Sequence, residues 1–235
     1  MTDPVRVSTI VVALLAAASP VQAQWIVAAY GGIVHTRPAD LHIRQNQTTL
    51  HFARVSFTSR SLQPPIYYGY RVARVIAPSH GVFVEAELTH AKVFADGTRA
   101  TGSGVRGGVP VQGLPFAAVV GRFAISHGLN FVLMNAGLRH PVSERITIAA
   151  RAGAGPMVPH AETEIDGVAN EGYELAGVGV QTAAGVEVRL WRGLSILTEY
   201  KWTHAHPHVS LGEGEADLAT MSHHVAVGIS VMLGR

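Results

Sequence analysis

Eight segments of strand length, joined by connections that are alternately short and long, constrain this 235-residue chain more than any motif does. The short links are Pro78-Ser79-His80, Pro141-Val142-Ser143-Glu144 and Trp191-Arg192-Gly193, and the long ones run roughly over 37–61, 95–126, 158–173 and 205–221. Tight turns at one end and long loops at the other are the habit of a bacterial outer-membrane β-barrel, with the turns in the periplasm and the loops outside. Inside the segments hydrophobicity alternates with a period of two, as it does in a strand whose faces meet different surroundings. Val82, Val84, Ala86 and Leu88 oppose Phe83, Glu85, Glu87 and Thr89, and the pattern recurs over 146–155, 176–190, 194–204 and 223–233. The expected fold is all-β: an eight-stranded antiparallel transmembrane barrel with long extracellular loops and short periplasmic turns.

A charge facing lipid at the bilayer midplane costs about 2–4 kcal/mol, so the apolar face is assigned to lipid and the polar face to the lumen. The lumen is then expected to hold Arg71, Arg151, Arg189 and Lys201 against Glu85, Glu87, Glu187 and Glu199. Balanced charge suits a closed, ion-paired interior, and eight strands leave only enough width for side chains to fill. Segments 25–35 and 127–140 alternate less cleanly, and their facing stays open. Trp25, Tyr67, Tyr68, Tyr70, Phe83, Trp191, Tyr200 and Trp202 are expected in interfacial belts. A soluble lipocalin-like barrel would turn the same alternation inside out. Loop asymmetry, glycine content and polar long loops favour the membrane.

Residues Val7 to Ala18 form an apolar run after Arg6, followed by the small-residue site Val21-Gln22-Ala23. A signal peptide over 1–23 and a barrel domain over 24–235 are expected. No later stretch reaches the roughly 18–20 apolar residues of a membrane helix. Hydrophobic residues make up 48% of the chain and charged residues 14%, without one cysteine. A closed ladder satisfies the backbone in lipid without disulfides. The formal charge of +2 points to no nucleic acid. The expected setting is the Gram-negative outer membrane, as a monomer delivered by the outer-membrane assembly machinery.

Thirteen histidines are unevenly placed. His80 and His140 fall at periplasmic turns, whereas His35, His42, His51, His90, His127, His160, His204, His206, His208, His223 and His224 fall at the extracellular ends of strands or in the long loops. They form either a polar, titratable outer surface or a site for metal binding or proton transfer at the barrel mouth. His160-Ala161-Glu162 would set an imidazole and a carboxylate on one face of an extended chain. His204-Ala205-His206-Pro207-His208 has metal-capable spacing, and His223-His224 sends one ring each way. His90 and Lys92 continue the lipid-facing phase of Leu88, as His204 and His223 continue those of Trp202 and Val225. At outer-leaflet height they are expected to meet lipopolysaccharide headgroups.

Six blocks of the chain resemble the lipid A oxidase family of outer-membrane barrels. They are Pro64-Pro65-Ile66-Tyr67-Tyr68-Gly69, Thr89-His90-Ala91-Lys92-Val93-Phe94-Ala95-Asp96, Ser126-His127-Gly128-Leu129-Asn130, Pro159-His160-Ala161-Glu162, Glu199-Tyr200-Lys201 and His223-His224. The likeness spans about 25 to 233. It implies an eight-stranded barrel acting on lipid A of the outer leaflet, with oxygen-dependent oxidation of the proximal glucosamine to a 2-aminogluconate unit. The matched positions are His90, Lys92, His127, Asn130, His160, Glu162, Glu199, His223 and His224.

Such an oxidation passes two electrons to oxygen, and these side chains cannot hold them, so a redox metal of iron type or another cofactor is expected, with molecular oxygen as co-substrate. His90, His127, His160 and Glu162 are the candidate metal ligands. Candidate catalytic residues are His90, His127, Glu199 and His223, with Glu199 or His223 assisting proton transfer. Lys92, toward a lipid A phosphate, Asn130 and His224 are the candidate substrate-binding residues. Two other classes stay open: a non-catalytic surface barrel, and a lipid A deacylase built on His208-Val209-Ser210 with Glu213 or Glu215.

Overall fold

The computed structural model describes residues 24–97 and 99–234, so the expected leader lies outside the described residues. Fifteen strands follow one another: β1 Trp25–Thr36, β2 Ala39–Gln45, β3 Thr48–Thr58, β4 Tyr68–Ala77, β5 Val82–Asp96, β6 Thr101–Arg106, β7 Val109–Pro115, β8 Val120–Pro141, β9 Ile146–Ile165, β10 Val168–Tyr173, β11 Val178–Arg189, β12 Leu194–Ala205, β13 His208–Leu211, β14 Gly214–Leu218 and β15 Thr220–Leu233. Eight of them form a closed antiparallel wall in the order β1, β4, β5, β8, β9, β11, β12, β15, and β15 pairs back onto β1 from Trp25↔Leu233 to Thr36↔Ser222. Closure leaves no edge in lipid. The three short links are tight turns, as the sequence implied. At the first, Gly81 has φ of 67°, and a Cβ there would lie 1.9 Å from the Arg139 carbonyl oxygen, so only glycine fits.

Alternation sorts the wall into two surfaces. Val27, Ile33, Val72, Leu88, Val132, Met134, Ile148, Val186, Ile196, Val227 and Ile229 point outward and are exposed. The opposite phase is a sealed polar interior. Arg71 reaches Glu199 at 2.8 Å and Glu85 at 3.9 Å, while Arg151 reaches Glu199 at 2.9 Å and Glu85 at 3.3 Å. Lys201 pairs with Glu87. The segments that read poorly fall into line: Ala28 and Tyr30 of β1, and Leu133 and Asn135 of β8, face the lumen. Tyr30 donates to Glu87 at 2.5 Å and accepts from Lys201 at 2.7 Å.

Near the periplasmic mouth Arg189 lines a lumenal cavity of about 200 Å³, and Glu187 is paired by Arg139 of β8 at 3.1 Å. Two expectations are corrected. Tyr67 and Phe83 are not in an interfacial belt, because both rings point inward and are almost wholly buried. Trp25, Tyr70, Trp191 and Tyr200 do stand exposed on the outside.

The second correction concerns the long loops, which are largely strand. β2, β3, β6, β7, β13 and β14 build an extracellular sheet, and β8, β9 and β10 extend alongside it. Leu41, Ile43, Leu50, Phe52, Val209 and Leu218 from this sheet pack with Phe123, Ile125, Leu129, Phe131, Met157 and Ile165 of the barrel strands in one apolar core. The extracellular end therefore has the dry, close-packed interior of a soluble domain, above a barrel filled with charge.

Candidate functional site at a bulge in β8

Leu129 pairs with Ala91 of β5 and Pro159 of β9, and Ile125 pairs with Val93 and Ala161. Three residues, Ser126-His127-Gly128, therefore stand opposite a single residue on each side: Lys92 on one, His160 on the other. Such a bulge re-aims the side chains it carries. Three blocks far apart in the sequence meet at this point. Gly128 permits it, with φ of 104° and a would-be Cβ 2.3 Å from His90 Nδ1.

The site faces away from the lumen. Asn130 continues the outward phase of Val132 and Met134, and His160 and Glu162 continue that of Ala152, Ala154 and Pro156. It sits at the extracellular edge of the apolar belt. His127 Nδ1 lies 3.0 Å from Ser126 Oγ and 3.4 Å from Glu162. Glu162 also contacts Ser126 and Arg122. The His127 and His160 rings meet edge to face at 4.8 Å, and Tyr173 of β10 closes on His160 at 4.5 Å. One donor atom from each of His127, His160 and Glu162 lies within 4.8 Å of the others, a spacing a single metal ion can bridge.

His90 and Lys92 flank this set, but neither is open to headgroups as the phase alone suggested: each is only 4% exposed. The Tyr68 ring stacks on His90 at 4.8 Å, and Lys92 Nζ donates to the Gln63 carbonyl at 2.7 Å. His90 Nδ1 is 2.9 Å from Asn130 Oδ1, and Asn130 Nδ2 donates to the Val158 carbonyl at 3.0 Å. With Nδ1 bonded to an acceptor, Nε2 carries the lone pair, and it is buried without a partner, as is His160 Nδ1.

The other candidates lie elsewhere. Glu199 is sealed in the lumen between Arg71, Arg151 and Lys201. His224 is fully buried there, with Nε2 2.9 Å from Thr203 Oγ1 and Nδ1 3.2 Å from the Tyr67 hydroxyl. His223 does point outward, 2.5 Å from the Tyr200 hydroxyl. β15, however, is four strands from β8 in either direction round the wall, so His223 is diametrically opposite the bulge. The deacylase constellation is not assembled: Ser210 Oγ donates to Glu174 at 2.6 Å, while His208 pairs with Asp217. Ser126, Arg122 and Tyr173 join the site without having been singled out. Only Ser126, beside His127, carried a signal.

No protein-family model and no curated protein sequence matches this chain. Solved structures similar to it include outer-membrane proteins. The outer membrane protease OmpT from Escherichia coli is 7% identical, with 92% of this chain and 98% of that one covered at a TM-score of 0.47. Neisserial surface protein A is 8% identical, covering 89% and 97%, at 0.42. Ail, the attachment invasion locus protein of Yersinia pestis, is 10% identical, covering 90% and 99%, at 0.39. The chain's own closure, its apolar outer belt and its sealed polar lumen make the assignment. The protein is an eight-stranded transmembrane β-barrel of the outer-membrane type.

Proposed function

We propose that this barrel is an enzyme acting on lipid A in the outer leaflet, oxidising the anomeric carbon of the proximal glucosamine with molecular oxygen to leave a 2-aminogluconate unit. The observation that carries the reading is the bulge. It gathers His90, Lys92, His127, His160 and Glu162 on the outward face, at the edge of the apolar belt, where an amphiphile in the outer leaflet presents its sugar headgroup.

The lactol loses its C1 hydrogen with two electrons and its O1 proton, which gives a lactone. Oxygen takes up both electrons and two protons as hydrogen peroxide, and water opens the lactone to the acid. A metal ion of iron type would supply the electron path from sugar to oxygen. Its donor set fits: His127, His160 and Glu162 offer two imidazoles and a carboxylate, and His160 Nδ1 has no other partner. Arg122 and Ser126 hold the Glu162 carboxylate in place. His90, oriented by Asn130, would serve as base for the O1 proton once the Tyr68 ring that covers it moves aside and opens its buried, unpartnered Nε2. Lys92, closed to the headgroups while it is bonded to Gln63, would take a lipid A phosphate by leaving that carbonyl. Asn130 is a positioning residue in this scheme, and Glu199, His223 and His224 have no part in it.

Mass spectrometry of lipid A from cells with and without the gene is the test. A gain of one oxygen on the proximal sugar is expected with the gene. Loss of an acyl chain would replace this reading with a deacylase, and an unchanged spectrum would replace it with a non-catalytic surface barrel.

A further inference from the structure

A second cluster of metal-type donors lies away from the bulge, on the extracellular sheet. The register sets His208, Asp217, His42 and His51 in one row across β13, β14, β2 and β3, and residues paired in this way share a face. The His42 and His51 rings are stacked, with centroids 4.4 Å apart and planes within 5°. His51 Nε2 is 3.0 Å from Asp40 Oδ2, while Asp40 Oδ1 accepts the Arg54 amide at 2.9 Å. That amide is aimed by a local irregularity: the ladder shifts register between Ala39 and Leu41, and Arg54 has φ of 52°. Asp40 is thereby held in a fixed orientation, with one oxygen on the Arg54 amide and the other on the His51 ring. One donor atom from each of Asp40, His42 and His51 lies within 4.8 Å of the other two. The cluster opens on a cleft of about 530 Å³ that His204 and His206 also line.

We propose that Asp40, His42 and His51 form a binding site for one divalent transition-metal ion, of the zinc or copper(II) class, at the extracellular surface. Two imidazoles and a carboxylate are ligands that such ions take and that calcium and magnesium do not favour. The ion takes the place of the hydrogen bond between His51 and Asp40, each imidazole offering the lone pair of one nitrogen and keeping its proton on the other. The ligands come from β2 and β3, and occupancy ties that hairpin together at its open end. Asp40 and His42 line the cleft, from which water can complete the coordination.

The test uses mature protein folded in detergent and stripped with a chelator, in a His160→Ala/Glu162→Gln background that removes the bulge ligands and so keeps the two sites apart. Titrated with zinc chloride, this protein should retain one ion through gel filtration. Adding His42→Ala/His51→Ala should abolish retention while the heat-modifiable folded band persists, since both rings lie at the surface. Asp40→Asn should weaken binding by more than the roughly 10–100-fold that loss of a ligand's hydrogen-bond partner costs. With copper(II), electron paramagnetic resonance should show coupling to two nitrogens, and to one in His51→Ala. Retention of zinc by the His42→Ala/His51→Ala protein, or no retention in the background itself, would overturn the site.

Discussion

Lys201 lies at the centre of the lumen with no exposed surface, and its ammonium meets Glu87, the Tyr30 hydroxyl at 2.7 Å and Thr89 Oγ1 at 3.2 Å. Removing one partner from such a buried set strands the others, at a cost of about 3–5 kcal/mol. Lys201→Met should therefore lower the urea midpoint of the barrel folded into lipid vesicles, and Glu87→Gln combined with Lys201→Met should recover part of the loss. Unchanged stability in the single variant would contradict the network. At this scale the sequence was partly legible. Glu85, Glu87, Glu199, Arg71, Arg151 and Lys201 stood on the polar phase and are lumenal. Tyr30 was not readable as their partner, because a phenol in an apolar strand fits lipid interface and polar core equally well. Arg139 and Arg189 both fall on the lumenal phase near the periplasmic end, and only the closed barrel shows which one reaches across to Glu187.

Among the elements, the bulge decides more than any regular strand. The two extra residues of Ser126-His127-Gly128 let His127 leave the ladder and approach His160 and Glu162. Gly128→Ala would force a side chain onto His90 Nδ1 and Asn130 Oδ1, at 2.3 and 2.5 Å. The barrel should still fold, because the change lies at its outer end, while lipid A oxidation should fall by about 100-fold from misplacement alone. Full activity in a folded Gly128→Ala protein would remove the bulge from the account. The eight wall strands and their turns were legible from alternation and spacing. The extracellular strands were not, although Leu41, Ile43, Leu50 and Phe52 alternate with polar neighbours. Alternation in a stretch too short to cross a membrane does not distinguish a hairpin stacked on the barrel from a polar loop. The pairing of β2 with β14, far away in sequence, leaves no local mark at all.

As a whole molecule the protein reverses its solvent logic along the barrel axis. In the membrane its interior is ionic and its surface apolar; beyond the membrane its interior is apolar and its surface carries the histidines. The bulge lies at that change of regime, which is why it can offer metal-type ligands to a molecule anchored in lipid. The sequence placed His127, His160 and Glu162 together through one extended motif and one resemblance. It could not place Glu199 and His224 inside the lumen and away from them, because membership of a motif says nothing about which side of a wall a residue faces. The central claim is that this outward site oxidises lipid A. The most direct measurement incubates the purified, iron-loaded barrel in air with lipid A bearing a free anomeric hydroxyl and follows the product by mass spectrometry. Wild type should add one oxygen and form hydrogen peroxide, and the folded His160→Ala and Glu162→Gln proteins, chelated wild type and anaerobic wild type should do neither. Product of the same mass from His160→Ala, or from wild type without oxygen, would contradict it.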